Sequence, residues 1–106
     1  MSTYAVDREK WAAMSVFDQL GNIGSEVGRS LNAKRRGDEK SAEAAESRAL
    51  DLFDATYEAW LVSSPPRIKE LQLSKQQYLN AYNSPNYDNG IENYFMQFAI
   101  AARLNR

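Results

Sequence analysis

Glu39-Lys-Ser-Ala-Glu-Ala-Ala-Glu-Ser-Arg-Ala-Leu-Asp-Leu-Phe-Asp-Ala-Thr-Tyr-Glu-Ala-Trp-Leu-Val62 decides the fold class. Ala42, Ala45, Ala49, Leu52, Thr56 and Ala59 recur at alternating steps of three and four, which places them on one stripe of an α-helix, with Phe53 and Trp60 beside it. The small residues at its start predict close approach to a neighbour, and the larger ones later predict a wider core. Glu39, Glu43, Glu46, Asp51, Asp54 and Glu58 oppose Lys40 and Arg48, so the segment carries −4 in a chain of net charge −1. The rest of the chain totals +3, and the acidic helix is expected to sit among weakly basic neighbours.

Working back toward the N-terminus, Gly37 is suited to a left-handed helix end and Asp38 to capping the helix that follows. Lys34, Arg35 and Arg36 close the preceding helix beside the negative end of its dipole. That helix starts at Ser15, whose hydroxyl can cap it with Asp18 at the third position. Phe17, Leu20, Ile23, Val27 and Leu31 form its apolar stripe. Residues 1–14 read as a lead-in, with a short helical turn around Asp7 to Ala13 whose Trp11 and Met14 cover one end of the core.

Toward the C-terminus, Ser63-Ser-Pro-Pro66 stops one helix and restarts another, because proline loses no hydrogen bond at a first helical position. Ile68, Leu71, Lys75, Tyr78, Leu79 and Tyr82 then define a stripe that is apolar except at Lys75. Asn83-Ser-Pro-Asn-Tyr-Asp-Asn-Gly90 concentrates turn formers and reads as a loop. A last helix follows, with Ile91, Tyr94, Phe95, Phe98 and Ala102 inward. Four amphipathic helices, at about 15–36, 39–62, 65–82 and 91–103, predict one all-α domain of residues 1–106: an up-and-down antiparallel four-helix bundle behind a short lead-in. The main alternative is a three-helix core with a swapped or dimerising fourth helix.

Composition narrows the chemistry. The 106 residues hold no cysteine and no histidine, which removes disulfides, thiol catalysis, thiolate metal sites and the commonest general base. Thirteen basic against fourteen acidic residues exert no global pull on nucleic acid or anionic membrane. No stretch approaches the roughly 18 apolar residues of a membrane span, and the first ten residues lack a signal-peptide pattern. The chain reads as cytoplasmic, with no cofactor and no metal.

Several constellations carry candidate roles. Gly21, Gly24 and Gly28 spell G-x-x-G-x-x-x-G, but they lie inside an amphipathic helix, without the strand or the Lys-Ser/Thr that a nucleotide-binding loop requires. They are expected to permit close helix packing or to form a self-association face. Asp51, Asp54 and Glu58 share a face as carboxylates of di-iron bundles do, yet no histidine completes that pattern, and they read as a solvated face. Arg29, Lys34, Arg35 and Arg36 form the one dense basic cluster and are the candidate phosphate contacts. Arg36-Gly-Asp38 spells an adhesion tripeptide and reads here as a helix end followed by a cap. Tyr78, Tyr82, Tyr87 and Tyr94 gather near one helix-loop-helix junction, as candidate seals of a bundle end or as a docking surface. Lys75 is the one candidate for a perturbed amine.

Leu20-Gly-Asn-Ile-Gly-Ser-Glu-Val-Gly-Arg29, Arg48-Ala-Leu-Asp-Leu-Phe-Asp54 and Asn93-Tyr-Phe-Met-Gln-Phe-Ala-Ile-Ala-Ala-Arg103 resemble a group of small bacterial all-helical proteins with no established activity. The resemblance spans about Trp11 to Arg103, implies a bacterial origin and the bundle, and transfers no catalytic residue. Small bundles of this size also resemble accessory proteins of RNA-processing or reverse-transcribing systems, by fold alone. The HEPN ribonuclease bundles use an Arg-x(4-6)-His motif that a chain without histidine cannot supply. The expectation is a non-catalytic module that binds another protein or itself, with nucleic-acid binding through the basic cluster as the alternative.

Overall fold

A computed structural model describes residues 5–84 and 90–104. Within these the chain is all-helical: α1 (Arg8–Ala12), α2 (Val16–Arg35), α3 (Glu39–Ser63), a 3-10 turn at Pro65–Arg67, α4 (Ile68–Tyr82) and α5 (Gly90–Leu104). The helix boundaries follow the chemistry of their ends. Asp7 caps α1 by accepting from the backbone N–H groups of Glu9 and Lys10. Ser15 accepts from Asp18 N–H at 3.1 Å, and Asp38 from Ser41 N–H at 3.1 Å. Gly37 adopts φ 77°, the left-handed conformation that only glycine takes without strain.

At 1.5 Å per residue the 25 residues of α3 run about 37 Å, which matches the 38 Å long dimension of the molecule. α2 is the central helix and packs most extensively against α3 and α5, while α4 is held more thinly by α2, α3 and α5. The side-chain pairs give the directions. Gln19 meets Trp60 and Glu26 meets Arg48, so α2 and α3 run antiparallel. Phe17 meets Phe98 and Arg35 meets Glu92, which makes α2 and α5 antiparallel. Ser30 meets Tyr78 and Lys34 lies over Tyr82, so α4 runs parallel to α2.

The core is built from Leu20, Ile23, Val27 and Leu31 of α2, the alanines, Leu52, Phe53 and Trp60 of α3, Leu71 and Tyr78 of α4, and Ile91 and Phe95 of α5. One train of rings crosses it: Tyr82, Tyr78, Phe53, Phe95, Tyr94, Phe98 and Phe17, with neighbouring centroids 5.1–6.4 Å apart. Two positions of the expected stripes differ. Phe17 is 37 % exposed, since it sits in the first turn of α2 where, among the described residues, the one ring stacked on it is Phe98. In α4 the inward position is Ser74, not Lys75; its hydroxyl donates to the Leu71 carbonyl at 2.8 Å and so needs no other partner.

Candidate functional site

The three glycines of α2 fall into two kinds. A Cβ on Gly21 would lie 3.1 Å from Ala99 Cα, and one on Gly24 would lie 2.5 Å from Phe95 Cβ. The missing side chains at these two positions are what let α5 lie against α2. A Cβ on Gly28 would meet nothing within 4 Å. An open groove of about 420 Å³ lies there, floored by Gly24, Ser25 and Gly28 of α2 and rimmed by Met96 and Ala99 of α5. A second hollow of about 310 Å³ continues it past Gly21 toward Ala102 and Arg103.

α5 is apolar on two sides. Ile91, Phe95 and Ala102 are buried against the core. Met96, Ile100 and Leu104, spaced four residues apart on another face, are 56 %, 46 % and 79 % exposed. A water-facing helix stripe of this kind has nothing to gain from leucine, isoleucine and methionine unless something covers it. Sequence periodicity assigned α5 a single inward face; the second stripe was readable from its i, i+4, i+8 spacing.

The basic cluster is spent within the chain. Arg29 and Arg48 both pair with Glu26, a carboxylate only 6 % exposed, so two guanidinium groups balance one buried charge. Arg35 pairs with Glu92 and with the Asn32 side chain, Arg36 lies 3.6 Å from Asp38, and Lys34 lies 4.3 Å from the centre of the Tyr82 ring. The four cations therefore point to different partners within the chain.

Of the four candidate docking tyrosines, two lie in the core. Tyr78 and Tyr82 are buried, and Tyr94 is half-buried between Phe95 and Phe98; Tyr87 lies outside the described residues. Tyr78 Oη and Ser30 Oγ share a 2.7 Å hydrogen bond in the core. Tyr94 Oη has no hydrogen bond of ordinary geometry to a described residue. Burial, reinforced by the Glu70 carboxylate, pushes the Tyr94 hydroxyl up to about 12, and burial raises Tyr78 and Tyr82 as well. Below the ordinary tyrosine value of 10.0 both folded and unfolded chains keep these protons; above it the unfolded chain ionises first, so stability is expected to fall as pH rises from about 10 toward 12. Tyrosinate absorbance followed with helical circular dichroism tests this: part of the signal should appear only as helix is lost. Full ionisation of every tyrosine in an intact helical protein would refute the burial.

Lys75 is a surface cation whose ammonium lies 3.9 Å from Asp54 and whose side chain is 39 % exposed. It borders a cleft of about 240 Å³ between α3 and α4, lined also by Phe53, Tyr57 and Leu71. Among the described residues no three metal-ligating side chains come together, and no helix is long and apolar enough to cross a membrane.

The acidic face of α3 is not simply solvated. Asp51 accepts from Val6 N–H at 2.8 Å and from Arg8 Nη1 at 2.9 Å, and Arg8 also reaches Glu58 at 3.4 Å. The lead-in is thus strapped across α3, with Trp11 buried behind it. Trp11 Nε1 donates to Thr56 Oγ1 at 2.9 Å; Gln19 Nε2 donates to the Trp11 carbonyl at 2.9 Å; and Trp60 Nε1 donates to Gln19 Oε1 at 2.8 Å. This buried relay joins α1, α2 and α3.

Compared with protein families, with curated proteins and with solved structures, the chain matches none.

Proposed function

We propose that the chain is a non-catalytic helical interaction module, folded as an up-and-down antiparallel four-helix bundle behind an N-terminal strap, which docks an amphipathic helix of a partner along the α2–α5 face. The observation that supports this reading is the exposed Met96–Ile100–Leu104 stripe standing beside the open glycine floor at Gly28. Ridge and groove together offer apolar area and a place for a knob to enter, the two requirements of helix-in-groove recognition. The other candidate surfaces lack one or the other: Tyr78 and Tyr82 are inside the core, and the basic cluster is paired within the chain.

The reading is tested by a photo-crosslinking residue at Ile100 in cells expressing the protein, with and without Met96→Asp, and with the same probe at Lys40 on α3. The expected result is an adduct from position 100 that disappears with Met96→Asp and is absent from position 40. An adduct indifferent to Met96→Asp, or none from position 100, overturns the reading.

A further inference from the structure

We propose that the occupant of this face is a second copy of the chain, held by an antiparallel, two-fold contact between the two α5 helices; the proposal rests on the reading of the α2–α5 face as the docking surface. A two-fold contact requires one surface to be its own complement. Here the ridge of Met96, Ile100 and Leu104 and the groove over Gly28 lie side by side, so a two-fold axis near the middle of α5 sets each ridge into the other copy's groove.

The charges on the same face select the antiparallel direction. Glu92 stands at the start of the stripe and Arg103 near its end, eleven residues or about 16 Å apart. In an antiparallel register that sets Met96 opposite Ile100 of the other copy, Arg103 of each comes beside Glu92 of its mate, which already pairs with Arg35 of its own chain and would then carry two cations. A parallel register would place like charges together at both ends. Arg103 makes no ion pair among the described residues, so it is available for this one.

The size of the face sets the strength of the contact. Stable interfaces bury about 800 Å² per partner, roughly one-eighth of the 6594 Å² that this chain exposes. Two helix edges, about 22 Å long and about 20 Å across, present about 440 Å², roughly half of that. The dimer is therefore reversible and dissociates on dilution.

Light scattering on the purified chain across a concentration series should give a mass approaching twice the 12.0 kDa of one chain at high concentration. Ile100→Asp, an exposed position whose change leaves the core alone, should weaken the dimer at least about 30-fold with helical circular dichroism unchanged. The absence of cysteine permits a test of register: an equimolar mixture of Met96→Cys and Ile100→Cys chains should form mixed disulfides faster than either chain forms its own. A purified chain that stays monomeric at millimolar concentration, or homodisulfides that outpace the mixed one, overturns the proposal. A monomeric chain whose probe at position 100 still captures a different protein in cells refutes the second copy while sparing the docking face; no adduct at all removes both.

Discussion

Trp60→Ala is expected to cost about 3–5 kcal/mol of folding stability, a large part of the roughly 5–15 kcal/mol that a domain of this size has. Trp60 is fully enclosed, so its truncation leaves a ring-sized hole where α2 and α3 meet. It also strands Gln19, whose two ends are both committed: Oε1 accepts from Trp60 and Nε2 donates to the Trp11 carbonyl. A buried acceptor left without its donor adds about 1–3 kcal/mol. The two contributions separate experimentally. Trp60→Phe keeps most of the volume and loses the N–H, so in urea unfolding it should fall between wild type and Trp60→Ala. Gln19→Leu in the Trp60→Phe background should then cost less than Gln19→Leu alone, because the donor it would have stranded is already gone. A loss below about 1 kcal/mol for Trp60→Ala would mean that the relay does not hold the three helices together.

The helices of this chain were legible where local chemistry decides them. Ser15, Gly37 and Asp38 cap or end helices through groups within a few residues, and the alanine-rich stripe of α3 has one inward solution. Periodicity was weaker where two neighbouring positions satisfy the same spacing, as at Ser74 and Lys75, since a serine that bonds its own helix costs little to bury. It was silent on pairs 41 to 50 residues apart: Gln19 with Trp60, Trp11 with Thr56, and Arg8 with Glu58. Those pairs depend on how helices face one another, which composition does not encode. The tyrosines show the same limit. Their amphipathic character suits a core end and a docking surface equally, and only the packing of α4 against Phe53 put Tyr78 inside. The glycines were recognised as a packing device, but the spacing did not distinguish the two that α5 covers from the one it leaves open.

That distinction carries the second large effect. In an isolated helix, replacing glycine by alanine gains about 1 kcal/mol, and Gly28→Ala should realise most of it because the new methyl enters open space. Gly24→Ala should go the other way, with a net loss of about 1–3 kcal/mol. Its Cβ would lie 2.5 Å from Phe95 Cβ, an atom fixed to the α5 backbone, so no rotamer change relieves the contact and the helices must separate. For the same reason Phe95→Ala cannot rescue Gly24→Ala: alanine retains the Cβ that clashes. Separation would also loosen Phe95 from Phe53 and Tyr94, the rings that tie α5 to the core. Urea midpoints for the two single variants should therefore move in opposite directions from wild type. Shifts of the same sign would mean that α5 does not lie against Gly24, and the open groove beside Gly28 would lose its geometric basis.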